Sequence, residues 1–298
     1  MTSSALAEGT VLGGYRLGGM LGKGGMGIVY LAEQMSIGRQ VAVKVLHPAR
    51  MTNREKLETF VREARVAARL QHRNLVTIHE VGTDGATGLA YYSMDYIHGR
   101  TLETIIAQEG PLDEARAVGL LRQVCQGLGR AHEAGVVHRD VKPGNILVDT
   151  NGLALITDLG LAAEIAGPAA ATNRRVLRLV GTPGFAAPEQ ARDPDRATPA
   201  SDVFSLGCTF YQTLTGSEPF DGSTLIDLIV DVVTRPVPPP AGISRRCAQV
   251  LDACLHKEPE RRPRTALELD AALAGIESER GSPGHGSATR RRPRRRRR

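Results

Sequence analysis

The hydrophobic pattern of this chain changes near Gly99, and the change limits the fold more than any other feature of the sequence. Before it, short segments alternate between apolar and polar residues, which is typical of strands. These segments are YRLGGMLG, GIVYLAEQ, VAVKVL, LVTIHEVG and GLAYYSMDYI. Residues 55–72 instead have apolar side chains three and four positions apart, which predicts a helix. Residues 15–97 are therefore predicted to form a small sheet with one helix.

After Gly99 the pattern becomes mostly helical. Helical spacing occurs in the segments 114–135, 200–216 and 244–259, and two short pieces, NILVDT and LALITD, are strand-like. The irregular stretch 161–189 is long for a compact domain, and such loops are usually functional or mobile. With residues 1–14 as a lead-in, we expect an α+β chain of two lobes. The β-rich N-lobe would cover 15–97 and the larger α-helical C-lobe 98–276.

The stretch LGKGGMGIVY places Gly22, Gly24 and Gly27 in the spacing G-x-G-x-x-G. This spacing occurs in dinucleotide-binding turns and also in loops that cover phosphates. A dinucleotide turn opens a helix and has an acidic residue about 20 positions on. Here the strand-like IVYL follows, and the residue 20 positions after Gly24 is Lys44, whose charge suits phosphates better than ribose hydroxyls. The stretch therefore favours phosphoryl transfer over hydride transfer.

Residues that would complete a phosphoryl-transfer site follow in order along the chain. Lys44 stands in the strand-like VAVK, and Glu63 stands on the predicted helix after it. The segment HRDVKPGN then supplies Asp140 and Asn145, TDLG supplies Asp158, and APE supplies Glu189. Singly, each residue type is common on protein surfaces. Together and in this order, they have no structural reason to occur.

On these motifs the sequence resembles the eukaryotic-type serine/threonine protein kinases over about residues 15–275, and it is most similar to their bacterial branch. The resemblance implies a bilobal protein kinase-like fold. It also implies transfer of the γ-phosphoryl group of ATP to Ser or Thr hydroxyls of proteins, including the kinase itself, with Mg²⁺ or Mn²⁺. Lys142 in DVKPGN and Thr182 in GTPGFAAPE are typical of Ser/Thr specificity rather than Tyr specificity.

The resemblance further implies a role for each residue of the catalytic group. Asp140 would accept or orient the proton of the substrate hydroxyl, and Lys142 would stabilise the transferring phosphoryl group. Asn145 and Asp158 would hold the metal ion. Lys44 would neutralise the α- and β-phosphates.

The nucleotide would lie between the glycine segment and the start of the C-lobe. Val29 and Ala42 would cover the adenine, Leu147 would lie below it, and Met94 would close the back of its pocket. The hinge Asp95, Tyr96 and Ile97 would bind the base through its backbone, and Glu63 would hold Lys44. In full, the expected ATP-binding residues are Leu21, Gly22, Lys23, Gly24, Gly25, Met26, Gly27, Val29, Ala42, Lys44, Glu63, Met94, Asp95, Ile97, Leu147 and Asp158.

Two further residues have implied structural roles, and two sites depart from the family pattern. Asp202 would brace the backbone of the catalytic loop, and Arg262 would pair with Glu189. The metal motif is DLG rather than DFG, and because Leu159 keeps an apolar side chain there, we expect activity to survive.

The second departure concerns regulation. Arg139, which precedes Asp140, often awaits a loop phosphate in this family. Thr172 is the single hydroxyl residue between Asp158 and Gly181, and it precedes Arg174, Arg175 and Arg178. A phosphate on Thr172 would pair with these arginines or with Arg139. The alternative, that the loop orders without a phosphate, stays open. The regulatory candidates are Arg139, Thr172 and Thr182.

Charge is concentrated at the C-terminal end. The last nine residues, RRRPRRRRR, carry eight arginines, and without them the formal net charge of +6 becomes −2. The rest of the chain therefore gives no argument for a specific nucleic-acid partner. Residues 277–298 are rich in Gly, Ser, Pro and Arg and predict a disordered tail. Three interpretations of the arginines stay open: a solvated tail, electrostatic binding to acidic lipid or nucleic acid, and the inner flank of a membrane span further along.

The remaining composition indicates a reducing compartment. Cys125, Cys208, Cys247 and Cys254 form neither a C-x-x-C pair nor a metal-binding spacing, so we expect core residues in a cytoplasmic chain or a cytoplasmic part of a membrane-anchored one. Protein substrates are the expected partners, and no pattern indicates an oligomeric state. The competing class is a pseudokinase-like nucleotide-binding scaffold, against which Lys44, Asp140, Asn145 and Asp158 argue.

Overall fold

The structure is a computed structural model that describes residues 5–25, 27–47, 54–160 and 182–281. Its N-terminal part is a six-stranded antiparallel sheet in the order β1-β2-β3-β4-β6-β5. The strands are β1 (Val11–Leu12), β2 (Tyr15–Gly24), β3 (Gly27–Gln34), β4 (Arg39–Leu46), β5 (Ile78–Thr83) and β6 (Ala90–Asp95). The five segments expected to be strands are all present. Short turns join β2 to β3, β3 to β4 and β5 to β6, whereas a longer segment that contains a helix joins β4 to β5.

The first strand corrects the expected lead-in of residues 1–14. Val11 and Leu12 pair with the start of β2, and the side chain of Leu12 is fully buried. Leu12 joins Tyr15, Tyr30 and Tyr91 in a small core on the outer face of the sheet. The segment looked loose because a two-residue strand is too short to show an alternating pattern.

The central strand β4 is buried on both faces, because a core lies on each side of it. Val41, Val43 and Val45 point into the small outer core. Ala42 and Leu46 point the other way into the main core, and alternation along a strand puts Lys44 on that same face. The helix α1 (Arg54–Ala67) packs there through Phe60.

The C-terminal part is mostly helical. Its helices are α2 (Leu102–Glu109), α3 (Glu114–Glu133), α4 (Pro188–Arg192), α5 (Pro199–Thr215), α6 (Leu225–Thr234), α7 (Arg245–Cys254) and α8 (Ala266–Gly281). Local signals set their ends. The carboxylate of Asp113 caps α3 by accepting from the N–H of Arg116 at 3.0 Å, and Gly216 ends α5 in the left-handed conformation with a φ of 75°.

A second sheet joins the two parts. It consists of β7 (Gly99–Thr101), β8 (Ile146–Asp149) and β9 (Ala154–Ile156), in that order. The chain before β5 is bonded to β9: the N–H of Val76 donates to the carbonyl of Ile156 at 3.0 Å, and the N–H of Ile156 to the carbonyl of Asn74 at 3.0 Å. The side-chain amide of Asn74 also donates to the carbonyl of Ala154 at 2.7 Å. The turn after α1 is thus attached to the C-lobe.

The far end of the fold corrects the expected tail. The helix α8 continues to Gly281, five residues beyond the predicted boundary at 276, and residues 282–298 lie outside the described ranges. A helix can extend into polar sequence once its earlier turns are packed, and α8 is packed through Leu269, Leu273 and Ile276. Among the described helices, none combines the length and apolar character that crossing a membrane requires.

Candidate active site

The loop with His138, Arg139 and Asp140, expected to be the catalytic loop, is held by one buried carboxylate, Asp202, in the first turn of α5. Its Oδ2 accepts from the backbone N–H of His138 at 2.8 Å, and its Oδ1 accepts from the N–H of Arg139 at 2.8 Å. Nε2 of His132 lies 2.8 Å from the same Oδ2. The bracing role expected of Asp202 is confirmed. It supports Arg139 in the left-handed region, with a φ of 68°, where a residue with a long side chain is uncommon.

Asp140, Lys142 and Thr182 form a connected polar group on this loop. The ammonium of Lys142 lies 3.0 Å from Oδ2 of Asp140 and donates to the hydroxyl of Thr182 at 2.6 Å. The backbone N–H of Thr182 donates to Oδ1 of Asp140 at 3.0 Å. Asp140 is buried, whereas Lys142 is only partly buried. A carboxylate, a cation and a hydroxyl are therefore fixed within hydrogen-bonding distance of one another.

Asn145 connects this group to the segment that carries Asp158. Its side-chain amide donates to the backbone carbonyl of Asp140 at 2.8 Å and to Oδ2 of Asp140 at 3.1 Å. The backbone carbonyl of Asn145 accepts from the N–H of Thr157 at 3.0 Å. His138 approaches the same segment, with Nε2 2.8 Å from the carbonyl of Thr157. These contacts place the two expected metal ligands on neighbouring, mutually bonded pieces of backbone.

Asp158 itself is bound from two sides. The ammonium of Lys44 donates to its Oδ2 at 2.6 Å, and the hydroxyl of Tyr92 donates to its Oδ1. Burial alone would raise the pKa of Asp158, but the charge of Lys44 and the bonds from Lys44 and Tyr92 hold this pKa below its ordinary value. Burial, followed by the charge of Asp158, raises the pKa of Tyr92 well above its ordinary value. Asp158 is therefore a carboxylate and Tyr92 a protonated donor at neutral pH.

The donor set suits a hard divalent cation. Mg²⁺ prefers oxygen ligands and is usually bound by one or two side chains together with phosphates of the substrate. Asn145 uses its amide nitrogen to hold Asp140, so the amide oxygen is the atom it would offer to a metal. Asp158 would offer its carboxylate.

The position of Glu63 corrects one expectation. Within the described residues, the carboxylate in ion-pair contact with Lys44 is that of Asp158, so the expected pair of Lys44 with Glu63 is not what the structure has. Glu63 instead lines a cavity of about 260 Å³ together with Arg139, Leu159 and Gly160. The difference arises because Lys44 lies on the face of β4 that meets Asp158, whereas Glu63 lies on the side of α1 that faces this cavity.

The residues expected around adenine lie where the two lobes meet. Ala42 on β4 is opposite Met94 on β6, and the hydroxyl of Thr157 lies 3.6 Å from the sulfur of Met94. Val29 on β3 and Leu147 on β8 are partly buried against the same main core. The expected hinge follows directly: Asp95 ends β6 beside Nε2 of His79 at 2.9 Å, and Tyr96 and Ile97 then lead to β7.

The glycine segment is a hairpin, with Gly22 opposite Val29, Lys23 opposite Ile28, and Gly24 opposite Gly27. A Cβ on Gly27 would overlap the carbonyl oxygen of Val45, so only glycine fits there. A Cβ on Gly22 or Gly24 would meet nothing within 4 Å, so these two leave open space on the hairpin.

The tip of the hairpin is only partly described. Leu21 is exposed and Gly25 forms part of the turn, while Met26 lies outside the described residues.

Of the three regulatory candidates, the structure describes Thr182 and Arg139 but not Thr172. Thr182 belongs to the Asp140 group, and Thr172 lies outside the described residues. Arg139 lines the cavity beside Glu63, and its buried Nε has no hydrogen-bond partner among the described residues.

The segment after the irregular stretch is fixed by a buried ion pair. The guanidinium of Arg262 donates to both carboxylate oxygens of Glu189, at 2.8 and 2.9 Å, which confirms the expected pair. Ser201 donates to the same carboxylate at 2.7 Å. Because Ser201 is next to Asp202, this pair and the anchor of the catalytic loop meet at the start of α5.

Three residues of the site were missed from the sequence. His138 could have been found, since it stands directly before Arg139 and Asp140 in the same motif. His132 and Tyr92 gave no such signal, because nothing in a helical or strand pattern shows which side chain meets a carboxylate from another part of the chain.

Comparison with known proteins agrees with this arrangement. Residues 15–271 match the family described as protein kinase domain. The serine/threonine-protein kinase PknB of Mycobacterium tuberculosis is 37% identical over 268 residues, which is 88% of this chain and 42% of that protein. PknA of the same species is 36% identical over 279 residues, 92% of this chain and 64% of that protein. The chain thus spans less than two thirds of these curated relatives.

Solved structures show the same likeness. The crystal structure of the M. tuberculosis PknI kinase domain matches with a TM-score of 0.72 and 27% identity, over 92% of this chain and all of that one. The fold, the ordered motifs and the contacts among Asp140, Lys142 and Asn145 lead to one conclusion. The chain belongs to the protein kinase domain family and has the two-lobed fold of its bacterial serine/threonine members.

Proposed function

We propose that this chain transfers the γ-phosphoryl group of ATP to Ser or Thr hydroxyls of proteins, with Mg²⁺ or Mn²⁺ as the metal. The observation that carries the proposal is the group formed by Asp140, Lys142 and Thr182. The names of PknB and PknA, which are serine/threonine-protein kinases, support the same substrate class.

The acceptor side of the reaction follows from Asp140. Its carboxylate is ordered by Thr182 and Asn145, so it is fixed where it can accept or orient the proton of an incoming hydroxyl. The ammonium of Lys142, partly exposed beside it, would stabilise the negative charge of the phosphoryl group in transit. Because both groups already lie within hydrogen-bonding distance of each other and of Thr182, little reorganisation would be needed on this side.

The donor side would require a rearrangement. Lys44 and Asp158 are paired with each other, whereas the reaction needs Lys44 at the α- and β-phosphates and Asp158, with Asn145, at the metal. When bound, the divalent cation would neutralise charge on the β- and γ-phosphates. Val29, Ala42, Met94 and Leu147 would hold the adenine, and the backbone of Asp95 to Ile97 would hold its polar edge.

A phosphotransfer assay with a protein substrate tests the proposal. Asp140→Asn keeps the shape of the side chain but cannot accept a proton, so we expect the rate to fall by about 10²–10⁴-fold. Asp252→Asn, at an exposed position on α7, should keep the wild-type rate. Equal rates for wild type and Asp140→Asn would remove the proposal, and nucleotide binding without any transfer by wild type would favour the pseudokinase-like scaffold.

Location and regulation are part of the same proposal. All four cysteines are buried in the described residues, which agrees with a reducing compartment such as the cytoplasm. Membrane association through the arginine-rich end, and phosphorylation of Thr172, both concern residues outside the described ranges. Mass spectrometry after incubation with ATP tests the second: an unmodified Thr172 in a fully active enzyme would exclude it as a switch.

A further inference from the structure

Tyr92 lies deep between the sheet and the C-lobe. It lies on β6 and is 1% exposed. Its ring packs against Phe60 of α1, with 6.2 Å between the ring centroids, and the ammonium of Lys44 lies 5.9 Å from the centre of the ring. Tyr92 therefore contacts the helix, the lysine and the carboxylate that the donor side of the reaction must rearrange.

The hydroxyl of Tyr92 and the ammonium of Lys44 together donate hydrogen bonds to both carboxylate oxygens of Asp158. The hydroxyl donates to Oδ1, while Lys44 donates to Oδ2. Each carboxylate oxygen thus already has a hydrogen-bond donor in direct contact. Hydrogen bonds to an ionised group are among the stronger ones, and a buried donor that loses its partner is costly. A cation that binds Asp158 has to compete with these two donors.

We propose that Tyr92 is a positioning residue whose hydroxyl, by donating to Asp158, competes with divalent cations for this carboxylate and lowers the affinity of the site for them. The inference rests on the proposed function for the identity of Asp158 as a metal ligand. The affinity of Asp158 for a divalent cation would then depend on Tyr92 as well as on Lys44. The ring supplies packing, and the hydroxyl supplies the competition.

The test separates the hydroxyl from the ring. Tyr92→Phe keeps the contact with Phe60 and removes the donor to Asp158. We measure the Kd of Mn²⁺ by electron paramagnetic resonance, with the non-hydrolysable analogue β,γ-methylene-ATP bound. Without the competing hydrogen bond, the Kd of Mn²⁺ should fall by about tenfold. Tyr92→Met, which also lacks a hydroxyl, should shift the Kd in the same direction.

The neighbouring tyrosine is the matched control. Tyr91 is equally buried, but it faces the small outer core, where its hydroxyl lies 3.3 Å from Oε1 of Glu80. Tyr91→Phe also removes one buried hydroxyl from β6, and it should leave the Kd of Mn²⁺ unchanged. Urea unfolding of all the variants separates metal binding from stability.

The outcomes decide the proposal whether or not the chain transfers phosphate. An unchanged or raised Kd of Mn²⁺ in folded Tyr92→Phe overturns it, even if wild type is an active kinase. A lower Kd in Tyr92→Phe and Tyr92→Met, but not in Tyr91→Phe, supports it. The same result in a wild type without phosphotransfer would leave the inference standing and remove the proposed function.

Discussion

Two carboxylates of this site, Asp140 and Asp158, are held in opposite ways. Asp140 is held by residues of its own lobe, Thr182, Asn145 and Lys142, in the contacts that catalysis would use. Asp158 is held across the lobes, by Lys44 and Tyr92, in contacts that substrate binding would have to break. The acceptor half of the site is therefore preformed, and the donor half depends on how the two lobes meet.

The largest expected effect comes from breaking the support of the preformed half. Asp202→Ala would leave the backbone N–H groups of His138 and Arg139 buried without their acceptor. We expect the free energy of unfolding to fall by about 3–5 kcal/mol, and phosphotransfer to be lost with it. Urea unfolding followed by an activity assay measures both. Asp252→Ala, at an exposed site, should change neither, and a fully active Asp202→Ala would show that the loop holds itself.

Removing the hydroxyl of Thr182 tests whether the acceptor half can be changed without affecting the donor half. Thr182→Val keeps the backbone N–H to Asp140 but removes the hydroxyl that binds Lys142. We expect kcat to fall by about 10²-fold while the Kd of ATP stays the same, because the nucleotide contacts are on the donor half. Thr182→Ser should restore most of the rate. A weaker ATP affinity in Thr182→Val would mean that the two halves are not separable.

A smaller effect is expected at the buried ion pair between Arg262 and Glu189 in the C-lobe. Arg262→Lys cannot donate to both oxygens of Glu189, so we expect a loss of about 2 kcal/mol in the free energy of unfolding. The adjacent pair of Arg261 with Glu258 is exposed, so Arg261→Lys should change stability by less than about 0.5 kcal/mol. Thermal or urea unfolding compares the two. Equal losses would mean that burial of the Arg262 pair contributes nothing.

The smallest effect is expected at Leu159, the departure from the usual metal motif. Leu159 is buried beside the cavity that Glu63 and Arg139 line, so a phenyl ring has space to replace it. We expect Leu159→Phe to change the free energy of unfolding by less than about 1.5 kcal/mol, with phosphotransfer of the same order as wild type. A rise from no phosphotransfer to strong phosphotransfer would instead show that Leu159 disables the donor half.

The contacts in the C-lobe that surround and support the preformed half could be predicted from the sequence. Asp202, Glu189 and Arg262 have the partners expected for them, because these contacts lie within one packed lobe whose motifs specify its interior. The predicted strands are likewise present, since alternation of apolar residues records which face is buried.

The donor half was less predictable for a physical reason. Whether Lys44 meets Glu63 or Asp158 depends on the position of α1 relative to the sheet, which motif spacing does not encode. Tyr92 reaches Asp158 through the register of β6 against β4, where it lies opposite Lys44. That register follows from backbone pairing rather than from any motif. The helices α2, α4, α6 and α8 were also not predicted, and α6 keeps Ile226 and Val230 exposed.

The bonds between the turn before β5 and strand β9 have a mechanical consequence. Asn74 and Val76 fix the segment between α1 and β5 to the C-lobe, and the backbone approach there is so close that a Cβ on Gly127 would lie 2.6 Å from the carbonyl oxygen of Asn74. The chain that follows α1 is thus anchored to the C-lobe, although α1 itself packs on the sheet. We expect any shift of α1 relative to the sheet to be taken up in residues 68–73, which lie between the helix and this anchor.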